Sequence, residues 1–211
     1  MSLRQTLRKI EEELEEREQV KDELYDAMRK ATRLSKQAIF SVHKGQFSEA
    51  KKLLKDIKKL FAKLDEIPST HRQLTYAGIV DAAFQEYTEA HIFLKLIQED
   101  KFVGPKKISV PSTSYLLGLA DVIGELRRSA LDFLRDGNVK TAEKCLERME
   151  LIYDELVVLD EALHAVSELR RKSDVARRII EATRGDVTIE VRRSSLEHSI
   201  EKLERVLKEK K

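Results

Sequence analysis

Leu24-Tyr25-Asp26-Ala27-Met28-Arg29-Lys30-Ala31-Thr32-Arg33-Leu34-Ser35-Lys36-Gln37-Ala38-Ile39-Phe40-Ser41-Val42-His43-Lys44-Gly45 is the stretch that decides the class of fold. Leu24, Met28, Ala31, Leu34 or Ser35, Ala38 and Val42 recur at steps of about three and four, the period that lines one face of an α-helix, and Gly45 supplies a stop. Upstream, Leu3, Leu7, Ile10 and Leu14 keep the same spacing, so the whole of Leu3 to Val42 is expected to form one very long helix. Between Glu11 and Glu18 nearly every residue is acidic, which predicts that the first turns project from the body or pack on a second subunit.

The rest of the chain obeys the same period. Seven Gly and three Pro in 211 residues are too few to write the frequent turns of a sandwich or barrel. A second helix, capped by Ser48, buries Ala50, Leu53, Leu54, Ile57, Leu60, Phe61 and Leu64 and ends before Pro68. A third, opened by Ser69 or Thr70, runs from about His71 to Glu99. A loop holding Gly104, Pro105 and Pro111 precedes a fourth, from Ser112 or Ser114 to Gly137. Thr141 to Thr183 is helical, as one element or two, and Gly185 to Ile189 reads as a short connector. Ser194 and Glu197 have capping-box spacing ahead of a final short helix through Leu196, Ile200, Leu203 and Leu207. The expectation is an all-α chain, a single domain over residues 1–211 with six or seven helices. Ile39 to Leu60 and Leu131 to Ile152 echo one another around Gly45 and Gly137, which is read as two similar helix-turn-helix corners in preference to a duplication.

Charge and composition narrow the function. Forty Lys and Arg against 38 Asp and Glu leave a net charge of +2, so any nucleic-acid surface must be local. The longest stretch free of Asp, Glu, Lys and Arg, Ile108 to Ala120, is too short to cross a bilayer. Met1-Ser2-Leu3-Arg4 lacks an apolar leader and Cys145 has no partner cysteine, so a reducing, cytoplasmic setting is expected.

On the third helix one stripe reads Ile79, Ala83, Glu86, Ala90, Phe93, Ile97, apolar except in the middle. Glu89 lies three residues on, so two carboxylates share a partly apolar neighbourhood, where desolvation is costly unless a cation is bound. On the fourth helix Asp121 and Glu125 stand one turn apart beside Gly118 and Gly124, whose cost within a helix hints at close approach by a backbone or a ligand. Four carboxylates on two helices suit Mg²⁺ or Mn²⁺. The same residues are equally readable as solvated, or paired to Arg127, Arg128, Lys95 or Arg72. Arg29, Arg33 and Lys36 share a face of the first helix, extended by Lys30 and Lys44, as a phosphate-binding stripe or a plain solvated face. His91 points away from the carboxylate pair and reads as a packed or surface histidine. Glu161 and His164 have the spacing of di-iron bundles, which need a second copy that is missing here. No Ser/His/Asp set, phosphate loop or dinucleotide fingerprint is present, and Cys145 reads as core.

Phe84-Gln85-Glu86-Tyr87-Thr88-Glu89-Ala90, Tyr115-Leu116-Leu117-Gly118-Leu119-Ala120-Asp121-Val122-Ile123-Gly124-Glu125-Leu126-Arg127-Arg128 and Ala31 to Lys44 resemble the translin superfamily, in its translin-associated factor X (TRAX-like) branch, over roughly Arg17 to Tyr153. The resemblance implies a translin-like helical bundle that assembles into a hollow homo-octamer, binds RNA inside, and cuts it with a metal held by acidic residues. Translin itself lacks this carboxylate set, and Glu86, Glu89, Asp121 and Glu125 match the catalytic branch. Glu86, Glu89 and Asp121 would hold Mg²⁺ or Mn²⁺, with Glu125 a fourth ligand or an orienter of water, and no organic cofactor. The Arg/His-rich stretch that translin presents before this site is absent, Ala77-Gly78-Ile79-Val80-Asp81 standing in its place, so contacts to RNA, or to single-stranded DNA, must come from elsewhere or be weaker, with Arg29, Arg33 and Lys36 as the candidates. The reading is a metal-dependent endoribonuclease in a homo-oligomeric chamber. The competing one is a non-catalytic RNA- or ssDNA-binding or scaffold protein.

Overall fold

The computed structural model describes residues 2–76 and 78–209. Among them there are eight α-helices and no strand: α1 Leu3–His43, α2 Phe47–Ala62, α3 Gly78–Glu99, α4 Pro105–Ile108, α5 Ser112–Arg135, α6 Val139–Val157, α7 Asp160–Ala165 and α8 Ser167–Glu209, with a 3₁₀ helix at Ser69–Tyr76. The chain divides into two compact units, Met1–Gly118 and Leu119–Lys211, the boundary falling within α5.

In the first unit α1 packs on α2 and α3. The seam foreseen on α1 is buried at Leu24, Met28, Ala31, Ser35, Ala38 and Val42, as are Leu54, Ile57 and Phe61 of α2 and Val80, Ala83, Tyr87 and Phe93 of α3. Phe61 is the hub, its ring 4.4 Å from Phe84 and 5.3 Å from Tyr87. Toward its N-terminus the same apolar seam is exposed at Leu3, Leu7, Ile10 and Leu14.

The corner after α1 is a Schellman motif. Gly45 takes φ +69°, its N–H donates to Val42 O at 2.9 Å, and the Gln46 N–H donates to Ser41 O at 2.8 Å. Gly137 repeats this after α5 with φ +75°, its N–H donating to Leu134 O and the Asn138 N–H to Phe133 O, which accounts for the echo between the two sequence segments. The corner is so tight that α2 starts at Phe47, which leaves Ser48 inside the first turn and not at the cap. Before α3, Ser69–Tyr76 winds as a 3₁₀ helix and not as the first turns of the α-helix foreseen from His71. Ala77, in the segment that replaces translin's basic stretch, lies outside the described residues.

In the second unit α6 packs on α8. Ala142, Cys145, Met149, Ile152 and Leu156 are buried on one side, and Leu169, Ser173, Ala176, Ile180, Thr183 and Val187, spaced four and three apart, on the other. The connector foreseen at Gly185 and the cap at Ser194 do not form, because α8 runs unbroken through both. The Arg127 fork explains the first: it donates to Thr183 Oγ1 at 2.7 Å and to Asp186 Oδ2 at 3.2 Å, clamping the helix on either side of the glycine. Val187 just beyond is buried, and that packing offsets the roughly 1 kcal/mol that a glycine costs within a helix. Past Val187 the seam positions turn polar, at Glu190, Ser194, Glu197, Glu201 and Glu204, while Leu196, Ile200, Leu203 and Leu207 form an exposed stripe on another face.

Candidate functional site

The stripe down α3 dips where the sequence says it does. Ala83, Ala90 and Phe93 are fully buried, whereas Glu86, together with Glu89 one turn on, is half-buried. Between them Tyr87 and Thr88 point into the core, and burial pushes the Tyr87 phenol up to about 12. Thr88 donates to Phe84 O at 2.8 Å, so the acidic segment is locked to its own helix from the inside.

Gly118 is the reason α5 reaches this segment. A β-carbon there would stand 2.6 Å from Gln85 O and 2.7 Å from Thr88 Cβ, closer than real β-carbons come, so only glycine lets the two backbones touch. Gly124 has nothing within 4 Å of such a carbon, so close approach by another backbone is seen at Gly118 and not at Gly124.

Arg29, Arg33 and Lys36 are all exposed on α1, and Lys36 Nζ lies 3.5 Å from Glu86 Oε1. The basic stripe therefore ends on the half-buried carboxylate of α3.

In the second unit Asp121 accepts a hydrogen bond from Lys172 Nζ at 2.5 Å. The two side chains are 26% and 17% exposed, so solvent screens this ion pair less than a surface one. Lys172 is also 4.0 Å from Glu168, and it borders a cavity of about 270 Å³ whose other walls include Gly124, Val175, Ala176 and Ile179. Glu125, one turn along α5 from Asp121, is half-buried.

Among the described residues no three His, Cys, Asp or Glu side chains are grouped closely enough to hold one ion. As packed, Glu86 and Asp121 each draw in an ammonium group, while two of the cations the sequence suggested are engaged elsewhere, Arg127 with α8 and Lys95 with Glu99 at 2.5 Å. Lys172 escapes sequence reading because it is 51 residues from Asp121, and its only local signal is a Glu168 four residues before it.

The remaining candidates differ in burial. His91 stacks edge-on against Tyr87 at 5.5 Å, and burial, followed by the nearby Lys95, Lys58 and Lys107, pushes its imidazole down to about 4. His164 is exposed on the six-residue α7. Cys145 is fully buried, its thiol pushed up to about 11 by that burial.

A bundle led by a 41-residue helix, with a cationic face meeting a carboxylate at the middle of α3, defines a narrow class of helical proteins. The chain belongs to the Translin family, whose sequence profile matches residues 19–207. It is 30% identical over 193 residues to an uncharacterised protein of Methanocaldococcus jannaschii, covering 90% of this chain and 85% of that one. Among solved structures it is similar to AfC3PO, with 34% identity, TM-score 0.78, and 88% and 96% of the two chains covered. It is likewise similar to the AfC3PO–duplex RNA complex, at 34% identity, TM-score 0.75 and the same coverage. For apo-NeC3PO the values are 25% identity, TM-score 0.76, and 87% and 96% covered. No described helix is long and apolar enough to cross a membrane.

Proposed function

We propose that this chain is a Mg²⁺- or Mn²⁺-dependent endoribonuclease of the TRAX-like branch, acting on RNA within a homo-oligomeric chamber, an octamer by resemblance. The observation that carries the reading is the meeting of Lys36 with Glu86, because it joins a phosphate-attracting helix face to a half-buried carboxylate. The likeness to AfC3PO, one of whose structures is a complex with duplex RNA, supports the nucleic-acid half.

Carboxylate oxygens are the donors a hard divalent cation takes, and Glu86, Glu89 and Asp121 would have to converge to hold one. Of these, Glu86 already neutralises the ammonium of Lys36 and Asp121 that of Lys172. When bound, such an ion lowers the pKa of water and offsets charge on the phosphate and on the leaving oxygen. Glu125 would be a fourth ligand or would orient the water. Arg29 and Arg33 hold the phosphates on either side of the cut, and Lys36, exchanged from Glu86, joins them.

The Lys172–Asp121 pair favours a second reading, a non-catalytic RNA- or ssDNA-binding or scaffold protein in which these carboxylates only neutralise lysines. Incubating the full chain with generic RNA in Mg²⁺, Mn²⁺ or EDTA separates the two. Metal-dependent cleavage should be lost in Glu86→Ala and Asp121→Ala, with RNA affinity kept or slightly improved because repulsion of phosphate is removed. Variants that cut as fast as the parent in matched Mn²⁺ leave the second reading standing.

A further inference from the structure

Phe40 is a large aromatic side chain left 53% exposed on α1, and the core does not account for it. At the 3.6-residue period of a helix, Arg29, Arg33, Lys36, Phe40 and Lys44 fall within about 80° of arc. The buried seam of Met28, Ala31, Ser35, Ala38 and Val42 lies on the other side of the helix. From Arg29 to Lys44 the chain carries five cations, Arg29, Lys30, Arg33, Lys36 and Lys44, and no Asp or Glu. The Lys44 ammonium lies over the Phe40 ring, 5.6 Å from its centroid. A second aromatic, Tyr25, is held similarly by Lys21 at 6.0 Å, but Asp22 and Asp26 flank it and would repel phosphate. Only the Phe40 end of the stripe is both aromatic and uniformly cationic.

We propose that Phe40 is a base-stacking residue, which takes the face of one unpaired nucleobase while Arg33, Lys36 and Lys44 hold the phosphates beside it. An aromatic ring set among cations is the combination that binds single-stranded nucleic acid without reading its sequence, since every base offers a π-face and a phosphate. A base inside a duplex is already stacked on both sides and has no face to give, so the ring discriminates strandedness. Lys36 lies one turn from Phe40 and contacts Glu86, so a nucleotide stacked here is delivered next to the acidic segment of α3. The inference rests on the nucleic-acid reading above and adds to it the form of strand the α1 face accepts.

The chain contains no tryptophan, so Phe40→Trp places a sole indole reporter at the ring itself. Full-length protein in EDTA is titrated with a 12-nucleotide single-stranded RNA and, separately, with the same sequence as a duplex. Single strands should quench the indole fluorescence of the Phe40→Trp variant and duplex should not. Phe40→Ala should weaken single-strand binding by about five- to a hundredfold and change duplex binding by less than about twofold. Phe40→Leu should behave like the alanine variant, because it keeps the apolar bulk and loses the π-face. Equal loss for the two forms of RNA, parental affinity in Phe40→Ala, or recovery in Phe40→Leu overturns the proposal. So does a fall in light-scattering mass in Phe40→Ala, which makes the ring a subunit contact. A parent chain that binds neither form of RNA removes the nucleic-acid reading itself, a result distinct from a parent that binds and a Phe40→Ala that matches it.

Discussion

Thr88 Cβ lies 2.7 Å from where a β-carbon on Gly118 would stand, so α3 and α5 are in backbone contact one residue away from Glu89. Gln85 O, at 2.6 Å on the other side, cannot swing away as a flexible side chain could. The acidic segment of α3 is held by this contact.

Gly118→Ala is therefore expected to destabilise the protein. Overpacking costs about 1–3 kcal/mol, more than the roughly 1 kcal/mol that alanine gains in helix propensity. Gly124→Ala, on the same helix with nothing within 4 Å, should stabilise by up to about 1 kcal/mol. Chemical denaturation of the two variants side by side gives opposite signs if the close approach is as described.

Arg33→Glu should weaken RNA binding at low salt. It should also flatten the dependence of log affinity on log salt by roughly 0.7–0.9 per lost phosphate contact. An unchanged slope, measured from about 50 to 200 mM salt, would return the α1 stripe to an ordinary solvated face.

Lys172→Met removes the ammonium that Asp121 now holds at 2.5 Å. If Asp121 is a metal ligand, Mn²⁺ and Lys172 compete for it, and calorimetry should show Mn²⁺ binding about tenfold tighter in the variant, some 1.4 kcal/mol. Asp121→Asn should erase the gain. Equal Mn²⁺ affinity in parent and Lys172→Met would show that the pair and the metal do not share the carboxylate.

Leu3, Leu7, Ile10 and Leu14 are 75%, 57%, 46% and 56% exposed on one face of α1, an apolar edge that water does not favour. The parent should run as a multimer in multi-angle light scattering, and Leu7→Glu with Ile10→Glu should lower its mass. A monodisperse parent monomer at micromolar concentration would remove the enclosed chamber.

The long first helix, the two Gly-terminated corners and the dip of the α3 stripe at Glu86 were legible in the sequence, because each is a local matter. Helical period, a positive φ at Gly45 and Gly137, and a charge among apolar neighbours all act within a few residues. The course of α8 was not legible. Gly185 is a genuine local stop signal, and it loses to the Arg127 fork on Thr183 and Asp186, which comes from 56 and 59 residues away; the Ser194 capping pattern lies inside the same unbroken helix. The partners of the carboxylates were hidden for the same reason: sequence lists every nearby cation, and only packing selects Lys36 for Glu86 and Lys172 for Asp121. What the sequence determined by itself was where helices form and which side chains they cannot bury cheaply. The tertiary structure decided which distant charge meets each one, because a Coulomb energy depends on separation in space and takes no account of separation along the chain.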